Sequence, residues 1–196
     1  MYDRGRDARG GRLLGLPPAG SAEPRILVLG SFPSARSLEL GRYYGHGRNH
    51  FWAIMGTLCG FDPALPYEER LAALAGAGIA LWDVIASCER EGSLDRDIRA
   101  EEPNAILDYL AGRPRVERLG LNGGKAASAF ARLVAAGLGP RPPAIGEPLD
   151  WRPAGLAGRS VAVTRLPSTS PVPTRDYRRA EDKLGAWAAF LDATAR

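Results

Sequence analysis

Between Arg42 and Trp52 the chain reads RYYGHGRNHFW, a run of ring-bearing and hydrogen-bonding side chains interrupted only by two glycines. Tyr43 and Tyr44 offer flat faces to a ring, and Asn49 carries both a donor and an acceptor on one amide. Together they suit a pocket for a flat, polar, ring-shaped ligand. Asn49 also stands where a helix N-cap belongs, and Phe51 and Trp52 suit core anchors, so a site and a plain helix start are both open on this stretch alone. His46 and His50 are four apart but lack the intervening Glu of a zinc-protease helix, which argues against a metal there.

Three further segments carry usable chemistry. In GSFPS, Gly30 lets the chain turn sharply and brings backbone N–H groups near a ligand, while Ser31 and Ser34 can donate or, for Ser34, cap the following ARSLEL. In GLNGGKA, Asn122 can read an amide-like edge or simply make a turn, and Lys125 can meet an anion or solvent. A phosphate loop is excluded by spacing, since three residues separate Gly120 from Gly124-Lys125 and Ala126 follows. In LPSTSPVPTR, prolines stiffen a loop whose Ser168, Thr169 and Ser170 suit phosphate contacts, with Arg175, Arg178 and Arg179 behind it. Asp83 is the carboxylate best placed at a strand exit.

The elements that position these segments follow from hydrophobic pattern. Arg25–Gly30, Gly78–Val84, Val116–Gly123 and Arg159–Pro167 are apolar runs that suit strands buried on both faces. Helical spacing follows them: Phe51, Ile54, Met55 and Leu58; Leu71 and Leu74; Ile106, Leu107 and Leu110, with Pro103 at the first helical position; Ala126, Phe130, Leu133 and Val134; and a terminal stripe from Tyr177 through Trp187 to Leu191. Gly137–Gly158 reads as a long loop around Trp151. Alternation of this kind predicts an α/β chain, a three-layer α/β/α sandwich around a four-stranded, mainly parallel sheet. Ligands of such sheets bind beyond the carboxyl ends of the strands, which is where all four polar segments fall.

The 196 residues fit one domain, read as residues 24–196 behind a mobile Gly- and Arg-rich tail at 1–23. No apolar run approaches membrane-spanning length, and the start lacks a signal-peptide layout, so a bacterial-type cytoplasmic setting is expected. A net charge of +4 permits a polyanion without demanding one. Of the 26 basic residues only Lys125 and Lys183 are lysines, so the placement of arginines says more than their number. The two cysteines, Cys59 and Cys88, cannot build a four-thiolate cluster and read as reduced core residues.

In this order, GSFPSARS, YYGHGRNHFW, LWDV, NGGKAA and LPSTSP resemble the uracil-DNA glycosylase superfamily, and within it the hypoxanthine-DNA (deoxyinosine) glycosylase branch. The resemblance runs from about Leu16 to the final helix. It implies the same sandwich and a monofunctional enzyme of base excision repair that flips out a deaminated base, hydrolyses its N-glycosidic bond and leaves an abasic site. It implies Asn49 as the catalytic residue and Tyr44 as the ring stacked on the base, with Gly30, Ser31, Phe32 and Asn122 around it. Pro33 and Ser34, His46 and Arg48, Lys125, the run Pro167, Ser168, Thr169 and Ser170, and Arg175 would contact DNA. Phe32 stands where many relatives carry a water-activating Asp or Asn, and Leu166 where they carry His; both are expected of the hypoxanthine branch. Gly47 replaces an expected proline.

DNA carrying a deaminated base is then the partner, with no metal or organic cofactor required and no obligate protein partner inferred. A catalytically weak protein binding damaged or abasic DNA, and a small-molecule nucleoside hydrolase, are the competing readings. Flipping costs least at a mispair, and an amide is a weak base, so preorganised donors must stabilise charge on the departing base. Replacing Asn49 with Ala should abolish excision, read as alkali-labile strand scission, while DNA affinity by anisotropy stays nearly unchanged.

Overall fold

The computed structural model describes residues 12–90, 97–135 and 144–192. Strands β3 (Ile26–Gly30), β4 (Ile79–Asp83), β7 (Arg118–Asn122) and β9 (Val161–Leu166) pair in parallel in the order β4-β3-β7-β9. They are the four apolar runs read from sequence. Every residue of β3 is buried. Its side chains alternate between two cores: Leu27 and Leu29 meet Ile106, Leu119 and Phe130 on one face, and Ile26 and Val28 join Phe51, Ile54 and Trp187 on the other. A strand covered on both faces has no polar positions to spare, hence its continuous apolar sequence.

The sheet is wider than the four strands expected. Short antiparallel strands β2 (Ala19–Gly20) and β8 (Pro148–Trp151) extend it on either edge to six, in the order β2-β4-β3-β7-β9-β8. A second, three-stranded antiparallel sheet pairs β1 (Leu13–Leu14) with β5 (Ile85–Arg90) and β5 with β6 (Ile98–Pro103). Two readings change accordingly. Residues 12–20, inside the segment read as a tail, carry β1 and β2, whereas 1–11 lie outside the described residues. Pro103 closes β6 rather than opening a helix, and Trp151 ends a strand inside the stretch read as loop; part of that stretch, 136–143, lies outside the described residues. Strands this short are held by the edges they pair with, so no periodicity announces them.

Helices α4 (Ile106–Ala111) and α5 (Gly124–Leu133) cover the first face; α2 (Phe51–Cys59), α3 (Tyr67–Gly76) and α6 (Glu181–Asp192) cover the second, and α1 (Ala35–Leu40) follows β3. The α6 helix begins at Glu181, four residues later than its apolar stripe, because Asp182 accepts hydrogen bonds from the Arg178 and Arg179 N–H groups at 2.8 Å and holds the entry as a turn. Its far end is secured by buried Arg118, whose guanidinium donates to the Phe190 and Leu191 carbonyls. Among the described residues no helix is long and apolar enough to cross a membrane.

The packing of α6 on the sheet depends on one bare position. A Cβ on Gly120 would come within 2.8 Å of the Phe190 ring and 2.9 Å of Leu166. Gly120→Ala should therefore destabilise the fold by about 1–3 kcal/mol through overpacking, measured as a lowered denaturant midpoint with an unchanged slope.

Candidate active site

The parallel strand order places the reversal of chain direction between β3 and β7, since β3 leads to β4 on one side and β7 to β9 on the other. A crevice beyond such a reversal is where open α/β sheets take ligands. Leu29 pairs with Leu121, so Gly30 and Asn122 are the next residues on adjacent strands. Gly30 pairs with Asp83, and Asn122 with Leu166. The four strand exits thus lie at one level, as their sequences implied.

Asn122 is the hub. Its Nδ2 donates to the Tyr44 hydroxyl at 3.0 Å and to Thr169 Oγ1 at 2.9 Å. Its Oδ1 accepts from the Thr169 N–H at 2.9 Å. The amide therefore ties together the loop after β7, the aromatic run and the LPSTSP loop, with Thr169 only 1% exposed. Tyr44 lies face to face with Phe51, with centroids 3.8 Å apart and planes at 18°. Its backbone is left-handed, at φ 52°. A non-glycine residue held there stores strain, and such strain collects at functional sites. Burial, followed by the nearby Asp83 carboxylate, keeps the Tyr44 phenol well above its ordinary range, so it remains a neutral hydroxyl.

Gly30 is required by its neighbour: a Cβ there would lie 2.3 Å from Asp83 Oδ1 and 3.7 Å from the Tyr44 hydroxyl oxygen. Asp83, 4% exposed, thus faces the glycine and the tyrosine across the crevice. Its carbonyl accepts from Asn104 Nδ2 at 2.9 Å.

Asn49 stands one residue before His50, the cap position of α2; its Oδ1 accepts from the Phe51 N–H at 3.0 Å, which fixes the turn into the helix, and its own N–H donates to the His46 carbonyl at 2.8 Å. The N-cap expected at Asn49 thus falls at His50, and Asn49 instead supports the helix entry from the preceding turn. The bond uses one lone pair of the carbonyl oxygen and leaves the orientation of the Nδ2 donors defined. Asn49 and Tyr44 both line a cavity of about 380 Å³, together with Arg42, His46, Trp52 and Arg70.

Other sequence candidates take different places. Tyr43 is 3% exposed and acts as a core strut, its hydroxyl donating to Leu16 O at 3.1 Å. Ser31, Phe32 and Pro33 are buried, and the Arg90 guanidinium lies 5.1 Å from the Phe32 ring centroid. Ser34 caps α1, accepting from the Ser37 N–H at 3.1 Å. His46 Nδ1 accepts from the Arg48 N–H at 3.2 Å, and the Arg48 and Arg175 side chains are exposed. Pro167 is buried, and Ser168 Oγ accepts from the Ser170 N–H at 3.2 Å. Lys125 bonds Glu101, which Arg132 also meets. Burial would raise the Glu101 carboxyl, but these two cations outweigh it and hold the group below its usual range. Cys59 and Cys88 are free thiols. Among the described residues no three His, Cys, Asp or Glu side chains come together as a metal-ligand set.

The pairing of His50 with Lys183 escaped sequence reasoning. The available signal was the rarity of lysine in an arginine-rich chain: a position that keeps the compact ammonium is a position where the planar guanidinium does not fit.

Residues 17–191 match the family model described as the uracil DNA glycosylase superfamily. The chain belongs to that superfamily and, with it, is a DNA N-glycosylase, a hydrolase of N-glycosyl bonds. It is 40% identical over 114 residues to the hypoxanthine DNA glycosylase of Methanosarcina barkeri (strain Fusaro / DSM 804), covering 57% of this chain and 71% of that protein. It is 36% identical over 113 residues to the hypoxanthine DNA glycosylase of Methanosarcina acetivorans, covering 57% and 72%. A solution NMR structure from Methanosarcina acetivorans, provisionally assigned as a uracil DNA glycosylase, superposes with a TM-score of 0.70 at 27% identity, covering 94% of this chain and 99% of that one.

Asn122→Ala removes three hydrogen bonds and leaves the Thr169 N–H without its side-chain acceptor. At about 1 kcal/mol each, plus the orphaned donor, the variant should lose roughly 2–4 kcal/mol of stability, read by chemical denaturation, and should lose excision.

Proposed function

We propose that the chain is a monofunctional glycosylase of base excision repair that everts a deaminated base, hypoxanthine or uracil, from DNA and hydrolyses its N-glycosidic bond to leave an abasic site. The observation that carries this reading is that Tyr44 is shared by two features: its hydroxyl is bound by Asn122, which also holds Thr169 at the strand exits, and its ring lines, with Asn49, the neighbouring cavity. Two hypoxanthine DNA glycosylases among its relatives support the base class.

A target base inside a duplex is out of reach, so it is extruded at a cost of a few kcal/mol, lowest at the mispairs that deamination creates. Stacking on a ring such as Tyr44 returns roughly 1–3 kcal/mol per base. One Tyr44 face already lies on Phe51, so the opposite face is the one a base would meet. As the glycosidic bond breaks, positive charge grows on the sugar and negative charge on the leaving base. The Asn49 amide, oriented by its bond to the Phe51 N–H, directs its Nδ2 donors toward that developing charge or toward the attacking water. Phe32 carries no group that can activate water, so orientation of the water rests on the amide and backbone groups of the rim.

Matched duplex and single-stranded oligonucleotides carrying one uracil, hypoxanthine or xanthine, incubated with the protein and then with alkali, test the reading. Scission at hypoxanthine or uracil is expected. Tight binding without scission on any of them would replace this reading with that of a damaged-DNA-binding protein. Asn49→Asp keeps an acceptor for the Phe51 N–H but has no donors at neutral pH, and its excision should fall by at least 100-fold with the fold intact.

A further inference from the structure

Lys183 is 1% exposed, the most deeply buried cation among the described core residues. It sits in the first turn of α6, where the helix dipole disfavours a positive charge. Its Nζ lies 3.0 Å from His50 Nδ1 and donates to the Ser170 carbonyl at 3.0 Å. An ammonium has three protons and no lone pair, so it can only donate. His50 Nδ1 must therefore present its lone pair, and the ring proton resides on Nε2.

The backbone closes the same circuit. His50 N–H donates to the Thr169 carbonyl at 2.9 Å. The residue next to Asn49 is thus joined twice, through its main chain and through Lys183, to the loop that Asn122 holds from the other side. The His50 ring remains half-exposed at this rim. Burial and then the Lys183 charge lower its tendency to protonate, while Glu181 acts in the opposite direction. On Lys183 itself, burial disfavours the charge and Asp182 favours it.

We propose that Lys183 is a positioning residue that fixes His50 as a neutral Nε2–H donor to a backbone phosphate of bound DNA, and in doing so locks the Asn49 loop to the Ser168–Ser170 loop. The phosphate contact rests on the glycosylase reading; the lysine-set tautomer does not. A protonated His50 would have to place its second proton against a cation, so the contact works without a pH-dependent charge.

Two measurements test this. In the wild-type protein without DNA, long-range ¹H–¹⁵N imidazole spectra should show His50 as the Nε2–H tautomer, titrating below the ordinary histidine range. In Lys183→Met it should titrate at higher pH than in the wild type, because the neighbouring charge is gone while burial remains. An Nδ1–H tautomer in the wild type, or identical titrations in the two proteins, overturns the proposal, and the first of these needs no variant to fold. In the second, anisotropy follows binding to a duplex carrying one tetrahydrofuran abasic analogue. His50→Phe, which keeps the ring and removes the donor, should bind about fivefold more weakly at pH 7.5. Lys183→Met should gain at least about threefold in affinity between pH 7.5 and pH 6 relative to the wild type, a gain that the His50→Phe/Lys183→Met pair lacks. Unchanged affinity in His50→Phe overturns the phosphate contact alone, whereas a wild-type protein that binds no DNA overturns the glycosylase reading with it.

Discussion

Three segments far apart in the chain meet on one side chain. The Asn122 amide, at the end of a central strand, donates to Tyr44 and Thr169 and accepts from the Thr169 backbone. Loops leaving a sheet are free to wander, and ordering each residue costs about 1–2 kcal/mol of conformational entropy. An amide recovers part of that cost in a partly buried setting because it offers donors and an acceptor in one rigid plane. An apolar residue would leave Thr169 N–H unmatched, and a carboxylate could only accept, turning both hydroxyls into donors and adding a charge to a partly buried site. The geometry of the rim, including the strained Tyr44 backbone, depends on that plane staying where β7 puts it.

A second, charged layer of positioning surrounds the hub. Both lysines of this arginine-rich chain bridge elements: partly exposed Lys125 meets Glu101, joining α5 to β6, and buried Lys183 joins α6 to the aromatic run and the Ser170 carbonyl. A compact tetrahedral donor fits a small polar recess that a planar guanidinium would overfill. Arginine is used differently: Arg118 satisfies the last carbonyls of α6, whereas Arg48 and Arg175 are exposed. Cations that hold the fold and cations left exposed are thus different residues, and the net charge does not distinguish them.

The parallel sheet was legible because each of its four strands is buried on both faces, which forces an unbroken apolar run. The edge strands β2 and β8 and the β1–β5–β6 sheet were not. Leu13–Leu14 and Ala19–Gly20 are too short to show a period, and β6 carries Arg99, Glu101 and Glu102 because most of its residues are at least partly exposed. Tyr43 and Tyr44, equal candidates for stacking in the sequence, part ways in the structure. Tyr43 turns into the core against Leu16 and Trp52, and Tyr44 turns to the crevice.

From the residues in order, one can obtain the sandwich and the common level of the four strand exits. These follow from burial and from alternation of strand and helix, properties of neighbours in the chain. Which hydrogen-bonding groups are already matched is decided only on folding: Asn122 meets Thr169 across 47 positions and Lys183 meets His50 across 133. A side chain's type declares what it can bond. Its partner depends on where the sheet and the terminal helix bring distant segments to within about 3 Å of each other, and local pattern carries no record of that distance.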